Sequence, residues 1–411
     1  KMSRVFIIGG GAAGMMAGIF AARNGHKVHI YEKNEKLGKK LFITGKGRCN
    51  ITNAADMDTL FASVVSNPKF LYSGFYSFSN EQVIQFFEEL GIKTKVERGE
   101  RVFPLSNHSS DVIGALVQEL KRLHVNIHLH SEVKAIYTEA GRFHSIVLPD
   151  GKRVSADACI IAAGGISYPS TGCTGDGYHF ARQTGHSVTE LFPSLVPMEV
   201  KEPYVRELQG LSLRNVNVSI YDEKEKIYEE FGEMLFTHYG VSGPVALSAS
   251  SLVGPVLSKK TLKLVIDLKP ALSLEQLDQR ILRGFKEEMN KQFKNAVAGL
   301  FPAKLKPIML KLCGINPDKK VNEISREERL AFVHLIKNLE MTLSGLRDYK
   351  EAIITKGGVN VKQIDPGTME SKLVRGLYFI GEVLDLDALT GGFNLQIAWS
   401  TAYLAGNALT I

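Results

Sequence analysis

The chain has 411 residues, 44% of them apolar and 23% charged, which is ordinary globular composition with length enough for two or three domains and a core that needs no staples. Its four cysteines, Cys49, Cys159, Cys173 and Cys313, form no CxxC pair and are too sparse for a disulfide framework or a zinc site, so a reducing, cytoplasmic setting and no metal are expected. No apolar run reaches the roughly eighteen residues of a membrane span, and the net charge of +7 is carried by Lys and Arg without a long basic run, which weighs against nucleic acid as a partner.

Lys1 stands before Met2 and reads as an addition to the natural start; the chain then enters a strand almost at once, leaving no room for a signal peptide. Val5–Gly9 (VFIIG) is a short β-branched run of the kind buried in a parallel sheet. A helix over Met15–Asn24 stops at Gly25, and a second strand, Lys27–Tyr31, ends in Glu32. Between strand and helix lie Gly9, Gly11 and Gly14 in the G-x-G-x-x-G spacing, with Ala12 and Ala13 between the last two. Gly9 permits the tight turn, Gly11 lets backbone approach a diphosphate, and Gly14 lets helix pack on strand. The diphosphate would sit on free amides at the positive end of the helix. Glu32, 23 residues after Gly9, stands where a carboxylate accepts bonds from ribose hydroxyls, which favours FAD or NAD over NADP.

A simple dehydrogenase would continue with another βα unit. Leu37–Asn53 reads LGKKLFITGKGRCNITN instead, a polar glycine-rich loop. With Lys33 just before it, this loop offers Gly38, Lys40, Thr44, Gly45, Arg48, Cys49, Asn50, Thr52 and Asn53 as candidate contacts to phosphate or a flavin edge. Helices are expected over Asn80–Leu90, capped by Asn80, and over Ser109–Leu123, capped by Ser109 or Ser110. Strands follow at Val125–His130, Val133–Tyr137 and Phe143–Leu148, with Val133 near the adenine. Asp157–Ala163 is another buried strand whose end, Ala162-Ala163-Gly164-Gly165, falls where open α/β sheets bind ligands. A helix capped by Asp176 runs to Gly185.

After about Phe192 the pattern changes. Residues 193–353 read as an inserted substrate or cap domain: a β-unit over about 193–270, which contains FTHYGVSGP (Phe236–Pro244), and a helical part over about 271–346. Near Ile354 the first pattern resumes. Leu377–Ile380 is a buried strand ending in Gly381-Glu382, followed by Asp385, Asp387 and Thr390-Gly391-Gly392-Phe393-Asn394-Leu395-Gln396, and a helix is expected over Ile397–Leu409, starting Ile397-Ala398. Free amides at such a helix start would stabilise the edge of a flavin that gains negative charge on reduction.

The glycine-rich opening, TGKGRCNITN, FTHYGVSGP and GEVLD…TGGFNLQ together resemble the BaiN/YhiN-like family of bacterial FAD-dependent, NAD(P)H-linked flavoproteins, over essentially the whole chain. The resemblance implies an α/β fold, an FAD-binding Rossmann-like domain of the glutathione-reductase type made of residues 1–192 and 354–411, interrupted by the insertion. It implies FAD as cofactor, NAD(P)H as a transient donor without its own fold, and an organic acceptor such as a conjugated C=C bond; one member reduces such bonds in oxo-bile acids. Ala388 stands where the family pattern has glycine, and Phe393 where Tyr is common. Candidate proton donors are Arg48, Cys49, Tyr168, His238 and Tyr239, with Cys49 favoured as a packed small residue over a redox thiol. Two other classes stay open: a flavoprotein associated with nucleic acid, for example tRNA, and a flavin-binding protein without catalysis.

Overall fold

The computed structural model describes residues 3–409, so Lys1 and Met2 lie outside the described residues. The chain divides into two compact units, one running to Ser194 and resuming at Asp348, the other Leu195–Arg347.

In the first unit, five short parallel strands form a sheet in the spatial order Leu377–Phe379, Ala158–Ile161, Arg4–Ile8, Lys27–Tyr31, Asn126–His128. The middle strands are continuous apolar runs because both faces are covered: Val5, Phe6, Ile7, Ile160 and Ile161 are fully buried. The fingerprint helix is Ala12–Arg23, and every residue from Ala13 to Ala21 is buried. It is apolar all round because the C-terminal helix, Phe393–Ala408, lies against it. Close approach of the two depends on Gly406, where a Cβ would stand 2.8 Å from the Cβ of Phe20.

Several local expectations shift. Val133 lies in the loop before the strand Ala135–Glu139, not on it, although it is buried. The helix Asn80–Glu89 is capped by Ser79 in a capping box with Gln82, and the Asn80 amide instead donates to Asn53 O and Ala55 O. The helix Ser109–Arg122 starts after His108 without a side-chain cap; the Ser109 hydroxyl donates to Phe42 O. Asp176 is the first residue of Asp176–Gln183, after the left-handed Gly175, and its carboxylate takes Lys33 at 2.7 Å. The C-terminal helix begins four residues earlier than expected, at Phe393.

The second unit is built on a closed six-stranded antiparallel barrel: Met198–Val200, Gly240–Ser242, Glu225–Phe236, Ser212–Asp222, Leu262–Asp267 and Leu339–Leu346 in spatial order. The region expected as β, 193–270, also holds the helix Gly243–Leu257. The region expected as helical, 271–346, ends on a strand. Leu339, Met341 and Leu343 are buried while Glu340 is exposed, a period of two hidden behind the helical pattern of Arg326–Lys337. Phe192–Ser194 pairs with Ile354–Lys356 and belongs to the first unit.

Candidate functional site

The loop after Arg4–Ile8 and the start of the fingerprint helix form a glycine cradle at the carboxyl end of the central strand. Gly9 has φ +105°, and a Cβ there would lie 2.3 Å from Ala162 O and 3.1 Å from Ala163 Cα, so only glycine lets the two strand ends meet. A Cβ on Gly14 would lie 1.9 Å from Gly9 O. A Cβ on Gly11 would meet nothing within 4 Å: this is open space in front of the helix start. The helix has no side-chain cap, so the amides of its first turn, Ala12 to Gly14, are presented to whatever fills that space. Glu32 is buried and accepts from Gly10 N at 2.8 Å and Asn34 N at 2.9 Å, one amide per carboxylate oxygen. Each oxygen keeps a second lone-pair site for a hydroxyl.

Residues far apart in sequence close the site. Gly381 (φ +73°) would place a Cβ 2.9 Å from the Cβ of Ala13, so the C-terminal signature packs directly on the fingerprint helix. Gly392 (φ +96°) is the N-cap of the C-terminal helix, again without a side-chain cap. A Cβ there would lie 2.4 Å from Thr52 O and 2.9 Å from Asn50 Oδ1. Asn53 donates to Gly391 O at 2.9 Å, Thr52 donates to the buried Gln396 at 2.6 Å, and the Trp399 indole donates to Ile51 O at 2.8 Å. The 37–53 segment and the C-terminal turn are therefore one interlocked element. Gln396 is spent on this lock, bonding Thr52, Phe78 O and Ser400. Asn394 closes its own loop through both the N–H and the C=O of Ala388, while Leu395 and Ala398 are packing neighbours on the same helix. Asn50 Oδ1 remains buried with no hydrogen-bond partner among the described residues, an acceptor whose isolation costs about 1–3 kcal/mol until a donor arrives.

The segment 37–53 is less loop-like than expected. Lys39–Ile43 is a short helix entered through left-handed Gly38, whose N–H donates to Gly10 O at 2.9 Å. Thr44–Gly47 is a tight turn with Gly45 and Lys46 both left-handed, and Cys49 N donates to Thr44 O. Lys40 pairs with Glu382 at 2.6 Å, and the other oxygen of Glu382 accepts from Thr355 N at 2.9 Å. Burial works to lower the Lys40 ammonium, and Glu382, Cys173 and Tyr168 together outweigh it, so Lys40 is held above the ordinary lysine range. Asp387 is fully buried and pairs with Lys356 at 3.3 Å. Gly164 (φ +68°) and Gly165 bring the loop after Ala158–Ile161 against Cys173 and Thr355.

The remaining candidates fall elsewhere. Arg48 does not face the cradle: its guanidinium stacks 4.0 Å over the ring of Phe103 and bonds Glu97 in the Thr94–Pro104 hairpin and Asn107 in the turn after it. Cys49 is fully buried, and burial pushes its thiol up to about 12, which removes it as a thiolate. Tyr168 is left-handed and caps the turn Pro169–Thr171. His238 and Tyr239 belong to the second unit; His238 is exposed and meets Tyr239 edge-on at 4.7 Å, while Arg347 stacks 4.1 Å over Tyr239 and pairs with Glu199. Sequence reasoning missed Thr355, Lys356 and Trp399. A single Trp on a small-residue helix beside the glycine turn was the available signal for the last. An open groove lined by Pro307, Leu310, Lys311 and Ile315 lies in the second unit and shares no residue with the cradle.

These residues fit FAD: an empty space before one uncapped helix, a second uncapped helix start, an acid at the end of the second strand and an unpartnered buried acceptor between them. The chain matches the HI0933-like protein Rossmann domain model over residues 3–408. It is 33% identical to a 3-dehydro-bile acid delta(4,6)-reductase of Clostridium scindens, with 99% of both chains covered. It is 31% identical to a ribosomal RNA dihydrouridine synthase of Escherichia coli, covering 98% of this chain and 97% of that one, and 32% identical to the corresponding protein of Haemophilus influenzae over 98% and 97%. Among solved structures it resembles a 3-ketosteroid delta1-dehydrogenase from Sterolibacterium denitrificans, at TM-score 0.52 and 13% identity with 99% of both chains covered. It resembles a 3-ketosteroid-delta4-(5alpha)-dehydrogenase from Rhodococcus jostii similarly, at TM-score 0.51 and 14% identity over 99% and 96%. The chain belongs to the HI0933-like Rossmann family and is an FAD-dependent oxidoreductase with a β-barrel-containing insert.

Proposed function

We propose that the protein reduces a C=C bond conjugated with a carbonyl, with NADH or NADPH as electron source, in the cytoplasm. FAD, when bound, supplies the hydride-transfer chemistry. The Gly9–Gly14 turn and the amides of Ala12 to Gly14 would hold its diphosphate, Glu32 would take ribose hydroxyls, and Asn50 Oδ1 would accept a donor from the ring. The uncapped start of Phe393–Ala408 places the positive end of a sixteen-residue helix at the Asn50–Gly392 contact, where it favours added negative charge. Lys40, locked to Glu382 on the Thr355 backbone, holds the Gly381 turn against the fingerprint helix.

The observation that carries the reading is the interlock of two uncapped helix starts through Gly381, Gly392 and the 50–53 segment. Cys49, beside the cradle, is buried as a thiol, and no two cysteines are bonded among the described residues, so the reading takes the flavin itself as the group that passes electrons to the acceptor. The relatives support the choice of acceptor, since a bile-acid delta(4,6)-reductase and a dihydrouridine synthase both act on a C=C bond conjugated with a carbonyl. The test is anaerobic mixing of the purified flavoprotein with NADH or NADPH, followed by 2-cyclohexen-1-one. Bleaching of the flavin by the nucleotide and its return on adding the enone are expected; a flavin that no nicotinamide nucleotide bleaches, or that no enone or uracil compound reoxidises, overturns the reading.

A further inference from the structure

Residues 4–48 and 280–320 each carry a formal +7, but five of the nine cations of the first stretch are ion-paired. Residues 280–320 hold ten Lys and Arg against three acids, a formal +7; the totals of 50 and 43 leave 40 of each sign in the rest of the chain. Apart from the adjacent Lys319 and Lys320, the basic residues are spaced singly, so they form no run.

Three of the ten are neutralised nearby: Lys291 by Glu288 at 2.8 Å, Lys294 by Asp318 at 2.6 Å and Lys319 by Glu328 at 2.9 Å. The other seven have no carboxylate within ion-pairing distance among the described residues. Arg280, Arg283 and Lys286 lie on the helix Leu274–Glu287, Lys304, Lys306 and Lys311 on and before Lys306–Leu312, and Lys320 on the loop beyond; all but Lys306 are solvent-exposed. Lys304 reaches only a carbonyl, Gln209 O at 2.7 Å. Lys269, just before the segment, is held below the ordinary lysine range by burial and then by Arg280.

The scaffold under these charges is packed. Phe293 meets Phe332 at 5.2 Å and Phe285 at 6.3 Å, and Phe301 meets Phe332 at 6.0 Å. Backbone bonds from Phe293 N to Lys319 O, Lys294 N to Pro317 O and Val321 N to Lys291 O run the 291–294 and 317–321 segments side by side. A folded surface intersperses its signs; unpaired like charges on a rigid layer repel and need a counter-charge. A membrane surface would take a helix with a free apolar face, but Leu277, Ile281 and Phe285 are buried in the phenylalanine core. A phosphodiester chain needs only exposed cations on a firm surface.

We propose that this helical layer of the second unit, residues 280–320, is a docking surface for the phosphate backbone of a structured RNA. If the reductase reading above is right, that RNA carries the base to be reduced, since a uracil ring presents a C=C bond conjugated with a carbonyl; the docking stands without it. Two relatives named as ribosomal RNA dihydrouridine synthases align over 98% of this chain, which includes the segment.

The experiment titrates a fluorescein-labelled ribosomal RNA stem-loop with the full-length flavoprotein across a series of salt concentrations. The variant Arg283→Glu/Lys286→Glu/Lys311→Glu/Lys320→Glu should bind at least ~10-fold more weakly, with a salt slope shallower by roughly 0.7–0.9 for each phosphate no longer neutralised. Reversing Lys69, Lys93, Lys121 and Lys152, exposed lysines of the first unit, should change affinity less than about 3-fold. Flavin absorbance and melting temperature confirm that each variant is folded. Unchanged affinity and slope in the 280–320 variant overturn the proposal, as does displacement of the RNA by polyglutamate or phosphatidylglycerol vesicles at equal charge. Enone turnover is read in parallel: protein that reduces 2-cyclohexen-1-one but does not bind RNA loses the docking surface alone, and protein that binds RNA through this layer but reduces neither enone nor RNA base loses the reductase reading alone.

Discussion

Two helix starts of the first unit differ from two of the second. In the first, the fingerprint helix Ala12–Arg23 and the C-terminal helix Phe393–Ala408 begin at glycines and have no side-chain cap. In the second, Leu274–Glu287 and Arg326–Lys337 begin with full capping boxes, Ser273 with Gln276 and Ser325 with Glu328. An uncapped first turn leaves up to four amides without partners, and a capping box satisfies two of them. Those two helices of the second unit are finished internally, as is Asn80–Glu89 of the first. The two that start at the point where the glycines approach each other are left unfinished, and a bound ligand would complete them. The one long uncapped helix of the second unit, Gly243–Leu257, carries Pro244 in its first turn and so has one donor fewer to satisfy.

The largest effect is expected where the cradle has no room. Gly14→Val should abolish flavin binding, because the first added carbon would already lie 1.9 Å from Gly9 O; absorbance of the purified protein reads the loss, and a yellow, stable variant would break the assignment of this turn. Glu32→Gln comes next. Its amide keeps one acceptor for two backbone donors, so about 1–3 kcal/mol of stability should go, with weaker FAD binding, as chemical denaturation and flavin titration would show.

Acid sharpens the comparison further. His29 and His128 stack on adjacent strands of the first unit with ring nitrogens 3.0 Å apart. Burial, then His128, lowers His29 to about 4, and burial lowers His128. A histidine with a depressed folded value is neutral in the fold and binds its proton more readily unfolded. The stability it contributes is complete above about 6.5 and is lost as pH falls toward about 4. Melting followed by tryptophan fluorescence, which reports Trp399 in the first unit, should fall across that window and fall less in His29→Gln. The smallest effect belongs to the second unit: Ser273→Ala should cost about 1 kcal/mol and leave flavin content unchanged.

What was legible in the sequence follows from the same contrast. Gly9, Gly11, Gly14 and Glu32 could be read because a backbone that must turn left-handed or approach closely dictates residue type locally. Arg48 could not be placed, because its direction depends on Glu97, Phe103 and Asn107, brought by a hairpin and the turn after it some fifty residues on. Gln396 and Asn394 were read as ligand contacts, yet their partners are Thr52, Phe78 and Ala388. Leu339–Leu346 was read as helix because its alternation follows directly on a helical pattern, and only pairing with Met198–Val200 and Leu262–Asp267 decides it. The charge of residues 280–320 escaped a search for runs because, Lys319-Lys320 apart, it is spaced singly along the chain.

The central claim is that the space before the fingerprint helix is reserved for the FAD diphosphate, and Gly11→Ala tests it most directly. A Cβ there meets nothing within 4 Å and the backbone, at φ −83°, suits any residue, so the fold has no reason to suffer. The expected result is a melting temperature of the apoprotein within about 2 °C of the parent and an FAD dissociation constant raised at least ~10-fold, about 1.4 kcal/mol. Unchanged FAD affinity in a folded Gly11→Ala protein would contradict the account.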